Sequence, residues 1–299
     1  MKILVLGGTR FFGKKLVERL IEAHHDVTIA TRGTHENPFG EAVAHKKFDR
    51  RERDDLFELA QTKFDVVYDN ICYSPQEALY AVQAFKDQSI RYIFTSTLAV
   101  YCPKDKELFE DDFDPAQYEI VTGDREDFYY GEGKRLAEAV YFQKASFPVV
   151  AVRFPIVLDE ADYTKRLEFH LNHMLAGEEI GIKNKDAHIG FIQANEAARF
   201  LEWIGTKSEL SGAFNAASNG IYTLSELIDL LETITKKTAV IEEVTEDNDE
   251  SPFDLEGDYY LNTKKAQQAG FQFDRLADWF PKLAQTLFEK TTFNVKEEK

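Results

Sequence analysis

Positive charge is scarce in this chain: 36 Lys and Arg stand against 53 Asp and Glu, a net charge of −17 over 299 residues. Binding a polyanion requires a field of cations that releases counterions, so nucleic acid is not the expected partner, although a local basic patch can still hold one small anionic ligand. Cysteine is nearly absent, and neither Cys72 nor Cys102 has a C-x-x-C neighbour. That excludes a disulfide framework and fits a reducing, cytoplasmic compartment. No apolar run approaches the ~18 residues of a membrane span, and the apolar start is too brief for a signal peptide. What remains is a chain 43% hydrophobic, enough for a large core.

Strand-like and helix-like patterns then alternate. Ile3–Leu6, Asp26–Ala30, Lys46–Phe48, Phe64–Tyr68, Arg91–Thr95 and Val149–Arg153 read as six strands. Helical patterns separate them: one from near Lys14, others over Asp54–Gln61, Glu77–Lys86 and Gly131–Ser146. Near-continuous apolar strands spaced by helices predict an α/β fold with a doubly wound parallel sheet, a Rossmann fold, its site at the C-terminal strand ends. Residues 1–157 form this dinucleotide-binding domain. Residues 158–299 form a smaller substrate lobe, with segments around 188–217 returning to the first domain. Thr223-Leu-Ser-Glu226 has capping-box spacing before another helix. The acidic stretches 105–127 and 242–254 read as solvated loops, the first near enough to the site to serve as a lid.

The turn Gly7-Gly8-Thr9-Arg10-Phe11-Phe12-Gly13 carries the most chemistry. Glycines let backbone approach a pyrophosphate, and the following helix presents unpaired amides and a positive dipole end to it. Arg10 occupies the place of a middle glycine, over the expected phosphates. At the start of the long helix, Tyr130 and Lys134 stand four residues apart on one face. A neighbouring ammonium favours phenolate, which makes Tyr130 a candidate acid/base, and Thr97 at the end of the fifth strand can hold the substrate oxygen. A second Y-x-x-x-K match, Tyr260 and Lys264, lies far from the turn and reads as structural. His170 and His173 lack zinc spacing with other ligands, so no metal is expected.

GGTRFFG, TSTLAVY, YGEGK, RFPIVL, FIQANEAAR and GAFNAASNG, in this order, resemble the extended and atypical short-chain dehydrogenase/reductases, the NAD-dependent epimerase/dehydratase group. The arginine-bearing turn is most similar to the subgroup of chloroplast stem-loop-binding proteins, whose members often lack the Tyr and Lys found here. The resemblance implies Thr97, Tyr130 and Lys134 as the catalytic set. It also implies Gly7, Gly8, Thr9, Arg10, Phe11, Phe12 and Gly13 around the pyrophosphate, and Asp49 and Arg50 facing the adenine. Asn70, Ser96 and the segment Phe154, Pro155, Ile156, Val157 would surround the cofactor's other end, with Lys134 on the nicotinamide ribose. Leu98 and Ala99 stand where 4,6-dehydratases carry Asp and Glu, which disfavours that elimination. The Asn and Arg that hold a nucleotide-sugar diphosphate are missing, leaving Lys165, Arg166 or Arg275 for the task.

Thr31-Arg32 ends the second strand without the carboxylate that accepts a ribose 2′-hydroxyl, so NADP(H) is expected over NAD(H). The expected protein is a monomeric or homodimeric, NAD(P)-dependent oxidoreductase or epimerase acting on a small molecule. Its rivals are a catalytically silent dinucleotide-binding regulator and an RNA-binding member of the same fold.

Overall fold

The computed structural model describes residues 1–254 and 257–297. Its centre is a parallel sheet of seven strands, the first six in chain order being β1 (Lys2–Leu6), β2 (Asp26–Thr31), β3 (Ala44–Lys47), β4 (Val66–Asp69), β5 (Arg91–Thr97) and β6 (Val149–Phe154). After the short strands β7 (Ile156–Leu158), β8 (Glu179–Gly181), β9 (His188–Ile189) and β10 (Phe191–Gln193) comes β11 (Gly212–Asn215), the seventh member. The spatial order is β11-β6-β5-β4-β1-β2-β3, so the chain winds outward both ways from β1 and β4. Ligands bind such sheets at the crevice where that order reverses.

Alternation along β1 explains why helices cover both faces. Ile3 and Val5 join one core cluster and Leu4 and Leu6 the other, all fully buried. The first cluster lies under α1 (Phe11–Glu22) and α6 (Ala194–Thr206), which pack together. The second lies under α2 (Arg53–Leu59), α3 (Pro75–Phe85) and α4 (Tyr130–Lys144). A third cluster forms where α5 (Arg166–Ala176), α7 (Leu224–Thr235) and α9 (Leu276–Glu297) meet above the strand ends. Two further strands, β12 (Tyr222–Thr223) and β13 (Val240–Glu242), and the short α8 (Lys264–Gln268) complete the order. The capping box forms as expected: Glu226 N–H donates to Thr223 Oγ1 at 3.0 Å and Thr223 N–H to Glu226 Oε2 at 2.9 Å.

Two expectations need correction. Helix α1 begins at Phe11, not near Lys14, so the glycine turn feeds directly into it and Gly13 lies in its first turn. The segment 105–127 is not simply solvated: Leu108 and Glu110 are buried. The cause is Arg153 on β6, fully buried, whose Nη1 donates to the Glu110 carbonyl at 2.8 Å and Nη2 to the Phe113 carbonyl at 3.1 Å. In the stretch 242–254, Phe253 is buried against the His170 ring of α5.

His170 supplies a test of this packing. A carbonyl can only accept, so Nδ1–H donates to the Arg166 carbonyl at 2.9 Å, and neutral Nε2 accepts from Ser251 Oγ at 2.8 Å. Burial pushes the imidazole down to about 4. An unfolded histidine protonates near 6.5, so between the two values the unfolded chain binds more protons and stability falls as the solution is acidified. Chemical unfolding at pH 7 and pH 4 should show a loss to which this group contributes ~3 kcal/mol, and His170→Gln should remove that share; an unchanged acid slope would refute the assignment.

Candidate functional site

The dinucleotide cradle starts with two left-handed glycines, Gly7 at φ 93° and Gly8 at φ 99°. A β-carbon on Gly8 would sit 3.0 Å from both Val5 and Val17, and one on Gly13 would lie 3.2 Å from Gly8 Cα. The start of α1 therefore lies directly against the end of β1. Arg10 is its N-cap with extended backbone and no side-chain cap, and the first turn has no acidic residue. Positive dipole and unpaired amides thus remain available to an anion.

These residues line a cavity of about 330 Å³ with Thr31, Arg32, Asp49, Arg50 and Asn70 among its walls. Arg10 crosses the Tyr163 ring at 4.0 Å and meets His35 Nε2 at 3.4 Å. Arg32, exposed at the end of β2, faces the cavity with no ion pair among the described residues. Asp49 lines the same space, its Oδ1 accepting from Arg51 N–H at 3.0 Å. Arg50 lines the cavity as well, yet it is only 2% exposed. Its Nη2 is turned to Asp69 at 2.8 Å, in a buried knot completed by the Tyr92 and Tyr141 hydroxyls at 2.6 and 3.0 Å. Arg50 and those hydroxyls hold the Asp69 carboxyl down against the desolvation that would raise it. Arg50 Nε and Nη1 and Asn70 Nδ2 are buried with no hydrogen-bond partner among the described residues. Orphaned donors beside a cationic cavity, with glycines where a β-carbon would intrude, fit a pyrophosphate-bearing dinucleotide.

A second cavity, about 300 Å³, shares the walls Phe11, Phe12, Asn70, Tyr73 and Tyr163 with the first. It contains Thr97, Tyr130 and Lys134 together, with Ser96, Phe154, Pro155 and Val157 also on its lining. Gly131 lets α4 begin here, since a β-carbon on it would lie 2.6 Å from the Ala99 carbonyl. Lys134 is buried, donating to the carbonyls of Cys72 at 2.8 Å and Thr95 at 2.6 Å. An ammonium has three donors, so one N–H remains for a ligand. Burial pulls this ammonium down to about 8. Tyr130 has half its surface open, facing the cavity it lines. Burial raises its phenol; the neighbouring Thr97 hydroxyl and the charge of Arg166 act in the other direction. Thr97 Oγ1 also accepts from Ala99 N–H at 3.2 Å. Ser96 is differently engaged, its hydroxyl donating to buried Glu138 at 2.5 Å.

Tyr73, Tyr163 and Arg125 are walls that motif reading missed. Their signal lies in packing: Arg125 donates to Glu77, stacks 4.4 Å over the Tyr73 ring and so draws the acidic segment to the cleft. Of the three alternative cations, Arg166 lines the second cavity, whereas Lys165 and Arg275 are exposed and do not. Tyr260 packs on His188 and lines neither cavity. No group of three metal-ligating side chains occurs among the described residues. No helix among them is long and apolar enough to cross a membrane.

Gly13→Ala tests the cradle. It should weaken dinucleotide binding at least tenfold in a fluorescence titration while leaving the circular dichroism spectrum intact; unchanged affinity would show that the close approach is not needed.

The fold is shared with sugar-nucleotide enzymes of known structure. UDP-glucuronic acid 4-epimerase from Bacillus cereus, in complex with UDP-glucuronic acid and NAD, superimposes with a TM-score of 0.74 at 18% identity, covering 97% of this chain and 100% of that one. UDP-glucose 4-epimerase from Thermus thermophilus, in complex with NAD, gives 0.70 at 16% identity over 97% and 98%. Among curated proteins, chloroplast stem-loop binding protein of 41 kDa b from Arabidopsis thaliana is 26% identical over an alignment of 247 residues that covers 76% of this chain and 61% of that relative's length. A family model matches residues 3–217, and the chain belongs to the NAD dependent epimerase/dehydratase family.

Proposed function

We propose that this protein is an NADP(H)-dependent oxidoreductase or epimerase that acts at a carbinol or carbonyl carbon of a small molecule, with Tyr130 as acid/base. The observation that carries this reading is the meeting of Tyr130, Thr97 and Lys134 in a chamber continuous with the cationic cradle at the glycine turn. Bound there, the nicotinamide supplies hydride exchange with the substrate carbon.

The chain's own residues handle the proton. Thr97 and Tyr130 hydroxyls bracket the substrate oxygen; as the carbonyl forms, the O–H proton passes to the Tyr130 phenolate, and in the reverse direction the phenol returns it. Lys134 stabilises that phenolate by charge, and its unused N–H serves a ribose hydroxyl. Its ammonium, lowered to about 8, is charged at neutral pH and loses this role as alkali is added. Phe11, Phe12 and Tyr163 supply aromatic walls common to the two cavities.

Arg32 and Arg10 support the phosphorylated cofactor, because both are cations on the cradle wall without a carboxylate partner among the described residues. The relative named for stem-loop binding suggests RNA as a ligand, but a surface with net charge −17 opposes it.

Tyr130→Phe should lower kcat/KM at least 10³-fold with cofactor affinity unchanged, measured by stopped-flow absorbance at the nicotinamide band; retained turnover would remove the acid/base role. Titrations should give tighter binding of NADP(H) than of NAD(H), and Arg32→Ala should weaken the former alone, about tenfold or more. Tighter NAD(H) binding would overturn the cofactor assignment.

A further inference from the structure

Arg166, the first residue of α5, has no task in the mechanism above. It lines the chamber half-buried, and among the described residues its guanidinium has neither an ion pair nor a hydrogen bond. Three other arginines at the two cavities are paired, Arg50 with Asp69, Arg51 with Glu126 and Arg125 with Glu77, and the two without an ion pair among the described residues, Arg10 and Arg32, line the first cavity rather than this one. Arg166 stands close enough to Tyr130 for its charge to favour the phenolate.

Its position is set by a tight turn. Thr164 donates to Asp162 Oδ1 through N–H at 2.9 Å and Oγ1 at 2.6 Å, and Lys165 follows in the left-handed region at φ 55°. A lysine there is strained by ~1 kcal/mol, so the turn is maintained by its surroundings rather than by local preference.

The rest of the chamber limits what the guanidinium can hold. A nucleoside diphosphate carries at least two charges and takes several cations or amides. Among the described residues the only other cation on this lining is Lys134, which is already bonded to two carbonyls, and the lining includes the apolar and aromatic side chains of Phe12, Leu98, Pro155, Ile156, Pro252 and Tyr259. One guanidinium in an apolar and aromatic enclosure suits a compact planar monoanion, which it can grip through two parallel N–H bonds.

We propose that the substrate is a small hydroxy or oxo acid without a nucleotide, its carboxylate held by Arg166 while Thr97 and Tyr130 hold the reacting oxygen. This rests on the function proposed above and names its substrate class. Arg166 is the specificity-determining residue.

Isothermal titration of the NADP⁺-loaded protein with benzoate, benzamide, inorganic phosphate and UDP tests it. Benzoate should bind, benzamide and UDP should not, and phosphate should bind more weakly than benzoate. Arg166→Gln should weaken benzoate at least tenfold with NADP⁺ affinity unchanged, and Arg166→Lys should restore part of the loss. Equal benzoate binding by wild type and Arg166→Gln, no benzoate binding, or tighter phosphate or UDP binding would each overturn the proposal. Cofactor uptake without Arg166-dependent benzoate binding refutes the substrate class alone. No uptake of either NADP⁺ or NAD⁺ removes the function reading and this one with it.

Discussion

The buried pair of Arg153 and Glu138 is the constraint on which the site depends. Both side chains are wholly excluded from solvent, and the guanidinium meets the carboxylate with Nη2 at 2.6 Å and Nε at 3.1 Å. Its remaining donors go to Tyr101 Oη and to the carbonyls of Glu110 and Phe113. A buried ion pair adds little net stability, but removing one partner leaves an uncompensated charge, so the arrangement enforces geometry. Arg153 belongs to β6 and Glu138 to α4, while Ser96 of β5 donates to the same carboxylate. Thr97 and Tyr130, on those same elements, are thereby brought to one cavity.

Charge is distributed unevenly around that cavity. The whole chain is strongly acidic, yet the cradle at the β1–α1 turn combines arginines with a helix N-terminus that no side chain caps. A local cationic cleft on an acidic surface attracts a small anionic cofactor while disfavouring long polyanions. The adjoining chamber is more apolar, and desolvation there acts on two of its side chains in opposite senses: it lowers the Lys134 ammonium and raises the Tyr130 phenol.

The interactions that mattered most were not equally visible along the chain. The glycine turn was legible because positive φ and close backbone approach admit few other residues, and Gly7, Gly8 and Gly13 occur in the spacing that requires them. Tyr130 and Lys134 were legible because one helical turn puts them on one face. The pairing of Arg50 was not, since nothing local says that its guanidinium will turn inward to Asp69 and Tyr141, residues 19 and 91 positions away in the numbering. The segment 105–127 looked solvated because its acids dominate the composition. Its buried contacts, Leu108 beside Leu261 and Glu110 beside Asn215, come from distant parts of the chain.

The sequence by itself determined the alternating α/β plan, the phosphate-type turn, the Y-x-x-x-K pair and the absence of carboxylate at the end of β2, because each is a matter of local backbone preference or short spacing. Only the tertiary structure decided which cations remain available, which hydroxyls are already engaged, and that Arg166 of α5 lines the same cavity as Tyr130. Those outcomes depend on partners far apart along the chain, and pairing of a buried charge is settled only when packing excludes water around it.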